Sequence, residues 1–224
     1  MTAKQILLIG DNHPGAWHPL DPVRQELEQI LGGEFQLTVT QNYDDLSSLD
    51  TSEFAACISY ADIWTRELAP EQIAGLVAFV AGGGGLLAIH NGISLAGSYE
   101  LLQVMGASFV GHPPYQPLSY YGTVKEHPLL QGVEDFTVDE EPYQFEFDPF
   151  TPRTVLLEFE YAGKRYPAAW EHQYGLGKVV YLQPGHTAVS FKPQAFRQLV
   201  LNSARWVVNS GKVNSGSQHH QTKA

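Results

Sequence analysis

"GGGGLLAIHNGIS", Gly82–Ser94, is the stretch on which the fold turns. Four glycines end a helix, "LLAI" is the short unbroken apolar run that a strand buried on both faces requires, and His90 follows at a sharp Asn-Gly turn. In an open α/β sheet the turn after a strand is where ligands are met and reactive side chains are displayed. Working upstream, Pro70 opens a helix through "EQIAGLVAFVA", with Ile73, Leu76, Val77 and Val80 on one face. "FAACISYAD" before it reads as a strand, which makes a β-α-β unit with parallel strands. Further upstream lie a strand "QILLIG", a helix with Asp21 as N-cap and Pro22 at its first position running to the Gly32-Gly33 stop, and a strand "FQLTVTQ".

Downstream the pattern changes. "YELLQVMGA" predicts a helix and Gly111 to Pro117 a proline-rich loop; "LSYYGTV", "FTVDEEPYQFEF", "RTVLLEFEY" and "RYPAAWEHQY" predict successive antiparallel strands. "GLGK", Gly175 to Lys178, is a hairpin turn into "KVVYLQPGH", a buried strand ending in His186. A last amphipathic helix runs from Pro193 to Asn209. Residues 1–209 are expected to form one domain and 210–224 a disordered tail, so His219 and His220 are discounted.

A chain of 224 residues with 43% hydrophobic content can bury a sizeable core. The net charge of −11, with no local Lys/Arg cluster, repels nucleic acid and anionic lipid. Neither glycine run lies between a strand and a helix with phosphate-loop spacing, so no nucleotide cofactor is expected. The single cysteine, Cys57, reads as a core residue; with no secretory signal and no apolar run of about 18 residues, a soluble cytoplasmic protein with no membrane partner follows.

Two predicted strands end in histidine, at His90 and His186, and parallel strands place their C-terminal ends on one edge of the sheet. His18 in "AWHP" and His112 in "GHPP" fall in neighbouring loops, and Glu140 and Glu141 in "VDEEPY" point to opposite faces if extended, so only one should enter a site. Asp11 and Asp62 also follow strands and are reserve candidates. His13 shares the first loop with His18, whose aromatic context favours His18. His127, before Pro128, reads as a structural or surface residue, and His172 as solvent-exposed on its hairpin.

These pieces resemble the ThuA-like family, the trehalose-utilisation group, from about Ile6 to Val208. The matching words are "GGGGLLAIHNG", "GHP" at His112, "HPLLQG" at His127, "EEPY", and above all "PAAWEHQYGLGKVVYLQPGH". The resemblance implies an α/β, flavodoxin-like three-layer sandwich with a mainly parallel sheet, related to class I glutamine amidotransferases, with the antiparallel additions in its second half. In that wider fold the strand-to-helix turn carries a catalytic cysteine and a later strand end its histidine partner; here His90 takes the first place and His186 the second. The family pattern selects Glu141 over Glu140. An imidazole cannot act as a thiolate acyl-transfer nucleophile, and "GHTAV" offers no carboxylate after His186, so glutamine hydrolysis is disfavoured.

What remains is a set of imidazoles with a carboxylate, suited to a divalent metal, zinc first, or to acid/base chemistry without one. The expected ligands are His90, Glu141 and His186 with His112 or His18, and His90, Glu141 and His186 are also the expected catalytic groups. The resemblance implies a small-molecule carbohydrate, trehalose or a keto sugar, as substrate of an isomerase or hydrolase. Trp17, Trp64 and Tyr143, in predicted loops, would stack on a sugar face, with His18 and Asn91 beside them. The alternative is a non-catalytic carbohydrate-binding or scaffold protein on a degenerate amidotransferase fold. "SYYGTV" offers an edge for a homodimer.

Overall fold

The computed structural model describes residues 3–209; the expectation of a disordered tail over 210–224 lies outside them. In chain order the elements are β1 (Lys4–Gly10), α1 (Leu20–Leu31), β2 (Phe35–Thr40), β3 (Ala56–Tyr60), α2 (Pro70–Ala81), β4 (Gly85–Ile89), α3 (Tyr99–Met105), β5 (Ala107–Gly111), β6 (Gln116–Gly122), β7 (Phe136–Glu140), β8 (Gln144–Phe147), β9 (Thr154–Tyr161), β10 (Lys164–Tyr174), β11 (Gly177–Leu182) and α4 (Gln194–Val207). A nine-stranded sheet runs β2-β1-β3-β4-β11-β10-β9-β6-β7, and β5 and β8 form a separate pair. From β2 to β11 neighbouring strands are parallel, and from β11 to β7 antiparallel. This is the three-layer α/β arrangement expected.

The period-2 pleat splits each apolar strand between two cores. Ile6 and Leu8 of β1, Leu87 and Ile89 of β4, and Val180 and Leu182 of β11 face α1 and α4. Leu7 and Ile9, Leu86 and Ala88, and Val179 and Tyr181 face α2 and α3. Strands buried on both faces must read as unbroken apolar runs, which is why these were legible without alternation. α2 turns Leu76, Phe79 and Val80 fully inward while Ile73 and Val77 are only partly covered, so Phe79 belongs to the face predicted without it.

Several boundaries differ from expectation. α1 starts at Leu20 with Pro19 in the N-cap position, so Asp21 lies in its first turn; Asn12 Oδ1 accepts the Asp21 N–H at 2.8 Å. The proline-rich loop is shortened at both ends by β5 and β6. "FTVDEEPYQFEF" is two strands in two sheets, because the chain turns at Glu141–Tyr143. β11 ends at Leu182, placing His186 in the following loop. His172 is 3% exposed, not solvent-facing: residues two apart on a strand share a face, and its neighbour Trp170 is fully buried. Its Nε2 lies 2.8 Å from the Val104 carbonyl.

No helix among the described residues is long and apolar enough to cross a membrane.

Candidate functional site

β1, β3, β4 and β11 end in register at one edge of the sheet, with Ile9 beside Ser59, Ser59 beside Ala88, and Ile89 beside Leu182. The residues that follow these ends are therefore neighbours in space, at the position where open α/β sheets meet ligands.

His90 leaves β4 with φ 47°, in the left-handed region that a β-carbon-bearing residue seldom adopts. That backbone reverses sharply into a 3-10 turn over His90–Gly97. Gly92 permits it: a β-carbon there would lie 2.3 Å from the Ser59 carbonyl oxygen. Asn91 is fully buried under the turn, its side-chain N–H groups donating to the Tyr60 and Ala61 carbonyls at 2.8 and 3.0 Å. The expectation placed Asn91 on the ligand side; the structure places it as a brace between β3 and β4.

The His90 ring is fully buried. Its Nδ1 lies 2.7 Å from the Gln183 carbonyl, which only accepts, so Nδ1 carries the proton and Nε2 presents a lone pair. Burial pushes the imidazole down to about 3, which keeps it neutral. Gln183, the first residue after β11, was not singled out in the sequence, although a polar residue ending a buried strand is the signal that marks it. Its side chain accepts from the Tyr120 hydroxyl at 2.7 Å and donates to the Glu141 carbonyl.

Glu140, fully buried at the end of β7, accepts the Gly185 and His186 N–H groups at 2.7 and 3.3 Å and so ties that end to the loop after β11. Burial pushes its carboxyl up to about 7. Glu141, one residue on, has left the strand. Its Oε2 lies 3.4 Å from His90 Nε2, 3.3 Å from His186 Nδ1 and 3.7 Å from His18 Nε2. Burial opposes its charge, yet His18, His186 and His90 hold its carboxyl far below the usual carboxylate range. His18 is 4% exposed, and neither ring nitrogen has a hydrogen-bond partner. Burial resists its protonation, but Asp62 and Glu141 outweigh that and raise it above the ordinary imidazole value.

One ligand atom from each of His18, His90, Glu141 and His186 falls within 4.8 Å of every other. In a tetrahedral zinc site with bonds of about 2.0–2.1 Å, ligand atoms stand roughly 3.3–3.4 Å apart. The His90, Glu141 and His186 atoms match that spacing at 3.3, 3.3 and 3.4 Å. The unpartnered nitrogens of buried His18 supply the fourth corner, so the residues present fit a divalent metal.

Of the two histidines expected as the fourth ligand, His18 joins the group and His112 does not. The Nδ1 of His112 bonds the Pro113 carbonyl at 2.8 Å, and its Nε2 meets the other Glu141 oxygen at 3.8 Å, so it flanks the group from outside while His18 fills the place. Tyr143 is 2% exposed and forms a wall, its ring 4.2 Å from that of His90. Trp64 packs 4.9 Å from Phe109 and 6.4 Å from Tyr143, and Trp17, beside His18, is 76% exposed. Tyr115, not singled out in the sequence, lies with its ring 5.2 Å from His186 and is 44% exposed. The reserves also meet this edge. Asp11 is engaged by Tyr43, Arg66 and the Asp62 N–H, and Asp62 supports His18. His13 is exposed, and His127 caps a short turn by accepting the Leu129 N–H.

A family model described as ThuA, trehalose utilisation, matches residues 8–207. Among solved structures, a ThuA-like protein of Parabacteroides merdae superposes with a TM-score of 0.76 at 18% identity over 96% of this chain and 93% of its own. A ThuA-like protein of Bacteroides uniformis gives 0.70 at 18% over 92% of both chains. A cytoplasmic protein of Salmonella typhimurium LT2 gives 0.65 at 15% over 91% of this chain and 99% of its own. At such identities the likeness is one of fold. A search of curated proteins finds no match.

Proposed function

The chain belongs to the ThuA, trehalose-utilisation, family, and from that premise we propose that it is a metal-assisted enzyme acting on a carbohydrate, of the trehalose or keto-sugar kind, as an isomerase or hydrolase. The observation that carries this reading is the convergence of His18, His90, Glu141 and His186 from four separate loops onto one small volume. Zinc is the metal favoured by three neutral imidazoles and one carboxylate. Bound there, a divalent metal would supply Lewis-acid polarisation of a carbonyl or hydroxyl oxygen.

The protein's own groups supply the rest. His90 and Gln183 fix one lone pair in place before any ligand arrives, which lowers the reorganisation needed at the site. His112 stands outside the ligand group, one-third exposed, with Nδ1–H committed to Pro113, so its Nε2 lone pair, 3.8 Å from a Glu141 oxygen, is the atom that would take a proton from a sugar hydroxyl or carbon. Tyr115, its ring 5.2 Å from that of His186, offers an aromatic face against which a sugar's C–H face would rest, and exposed Trp17, next to His18 in the chain, is a second candidate for that role. A glutaminase reading has no nucleophile: Cys57 is buried in β3, and burial pushes its thiol up to about 12.

The test is a panel of disaccharides and 3-keto sugars, followed by NMR on protein loaded in turn with zinc, manganese or magnesium. New products support the enzyme. Resonance shifts without products would replace it with a carbohydrate-binding protein, and neither would overturn the reading.

A further inference from the structure

His186 sits where no helix or strand holds it. β11 ends at Leu182, and residues 183–187 belong to no regular element. Its side chain is 22% exposed, the most open of the four candidate ligands. An imidazole on such a loop samples several directions unless its backbone is fixed.

Two side chains fix it. Glu140 Oε1 accepts the N–H groups of Gly185 and His186 at 2.7 and 3.3 Å. The Tyr60 hydroxyl donates to the carbonyls of the same two residues at 2.8 and 3.1 Å. All four backbone polar groups of one dipeptide are thus taken by two residues, both fully buried. Glu140 closes β7, at the far edge of the antiparallel half, and Tyr60 closes β3 in the parallel half, so the loop is strung between the two halves of the sheet. Gly185 permits the fit with φ 140°, and a β-carbon there would lie 2.5 Å from Ile89 Cγ2.

Stability alone does not account for a carboxyl at this place. The second Glu140 oxygen is buried without a hydrogen-bond partner, 3.8 Å from His90 Nδ1, whose N–H is already donated to the Gln183 carbonyl. Burying a carboxyl with one oxygen unpaired costs free energy that an apolar side chain would not. What the acid supplies is an acceptor that two adjacent N–H groups share, on the backbone of a candidate ligand.

We propose that Glu140 and Tyr60 are positioning residues of the candidate metal group, acting through the Gly185–His186 backbone to aim the His186 ring at the point where His90 and Glu141 meet. Neither belongs to the ligand group itself. The inference rests on the metal site of the function proposed above and deepens it: the hold on the metal is set in part by two buried residues that do not touch it.

Full-length protein freed of metal is titrated with zinc against a chromophoric chelator, with folding checked by circular dichroism. Glu140→Ala should weaken zinc binding about 10- to 100-fold and Tyr60→Phe about tenfold, as for other residues that orient metal ligands. Glu140→Gln should stay within about threefold of the wild type, because its amide oxygen still accepts both N–H groups. In metal-free protein the His186 ring resonances, assigned by their absence in His186→Gln, should move in Glu140→Ala and Tyr60→Phe while those of His172 stay. A general loss of stability would not move one histidine and spare the other. If Glu140→Ala does not fold, Tyr60→Phe decides. Folded variants with wild-type zinc affinity overturn the positioning role alone. So does a Glu140→Gln protein that loses tenfold or more, since the carboxylate would then act by its charge. A wild type that binds no zinc overturns the metal reading and this inference with it.

Discussion

Asp62 accepts the backbone N–H of His18 at 2.9 Å and turns its second oxygen toward the ring Nδ1 of the same residue at 3.8 Å. One carboxylate thus holds the backbone of a candidate ligand and faces its ring Nδ1 with the opposite charge of an ion pair, leaving Nε2 toward Glu141. Carboxylate support of this kind orients a histidine and raises its basicity toward a metal. Asp62→Asn should weaken zinc binding about 10- to 100-fold while leaving the fold intact. Competition against a chromophoric chelator measures it, and unchanged affinity would show that His18 is positioned some other way.

The turn that displays His90 depends on Gly92. A β-carbon at Gly92 would lie 2.3 Å from the Ser59 carbonyl oxygen and 3.3 Å from the Ala88 side chain, and backbone cannot yield as a flexible side chain can. Gly92→Ala should cost about 2–3 kcal/mol of stability. Thermal unfolding reads this, and a midpoint within a degree of the wild type would contradict the packing described for the turn.

His172 gives the molecule a pH dependence away from the candidate site. Burial lowers its pKa from the ordinary value of 6.5; the Val104 carbonyl, Glu171 and Asp148 pull it upward and Arg153 downward, and burial prevails. With the folded value below the unfolded one, its contribution is complete above pH 6.5 and declines as pH falls through 6.5 toward the lowered value. His172→Gln should therefore destabilise most at pH 7.5, and the gap from wild type should narrow at pH 5.5. Urea unfolding at the two pH values tests the sign; a gap that widens on acidification would refute it.

Cys57 is fully buried, with its thiol pushed up to about 12, so the reactive thiolate is scarce and sheltered at pH 8. A thiol-reactive disulfide reagent should label it only as fast as the native state opens, and immediately in denaturant. Rapid stoichiometric labelling of native protein would mean that β3 is not the core strand described.

The parallel half was legible because its chemistry is local. The apolar run before His90, Pro70 at the start of α2 and the glycines at its end each signal their element within a few residues. The antiparallel half was less so. The apolar positions change phase between Val138 and Tyr143 across Pro142, which marks a break, but a phase change does not show that the chain passes into a second sheet there. His172 is expected at the surface of its hairpin, whereas a spacing of two on one strand puts it on the inward face with Trp170.

At the candidate site, His90, His186 and Glu141 could be proposed from strand-end positions and family words. The choice between His18 and His112 could not, because it depends on whether each ring's Nδ1 meets a backbone carbonyl or a buried carboxylate across the sheet edge. Tyr115 stands beside the ligands through tertiary packing that its neighbours in sequence do not announce, whereas Gln183 carries one local signal, a polar residue closing a buried strand.

Metal analysis of protein purified without a histidine tag tests the central claim most directly. After chelator treatment and re-addition of zinc, the wild type should retain one zinc per chain through gel filtration, and His90→Ala and Glu141→Gln should each retain far less. A wild type that keeps no stoichiometric zinc, manganese or magnesium, or variants that keep as much metal as it does, would contradict the account.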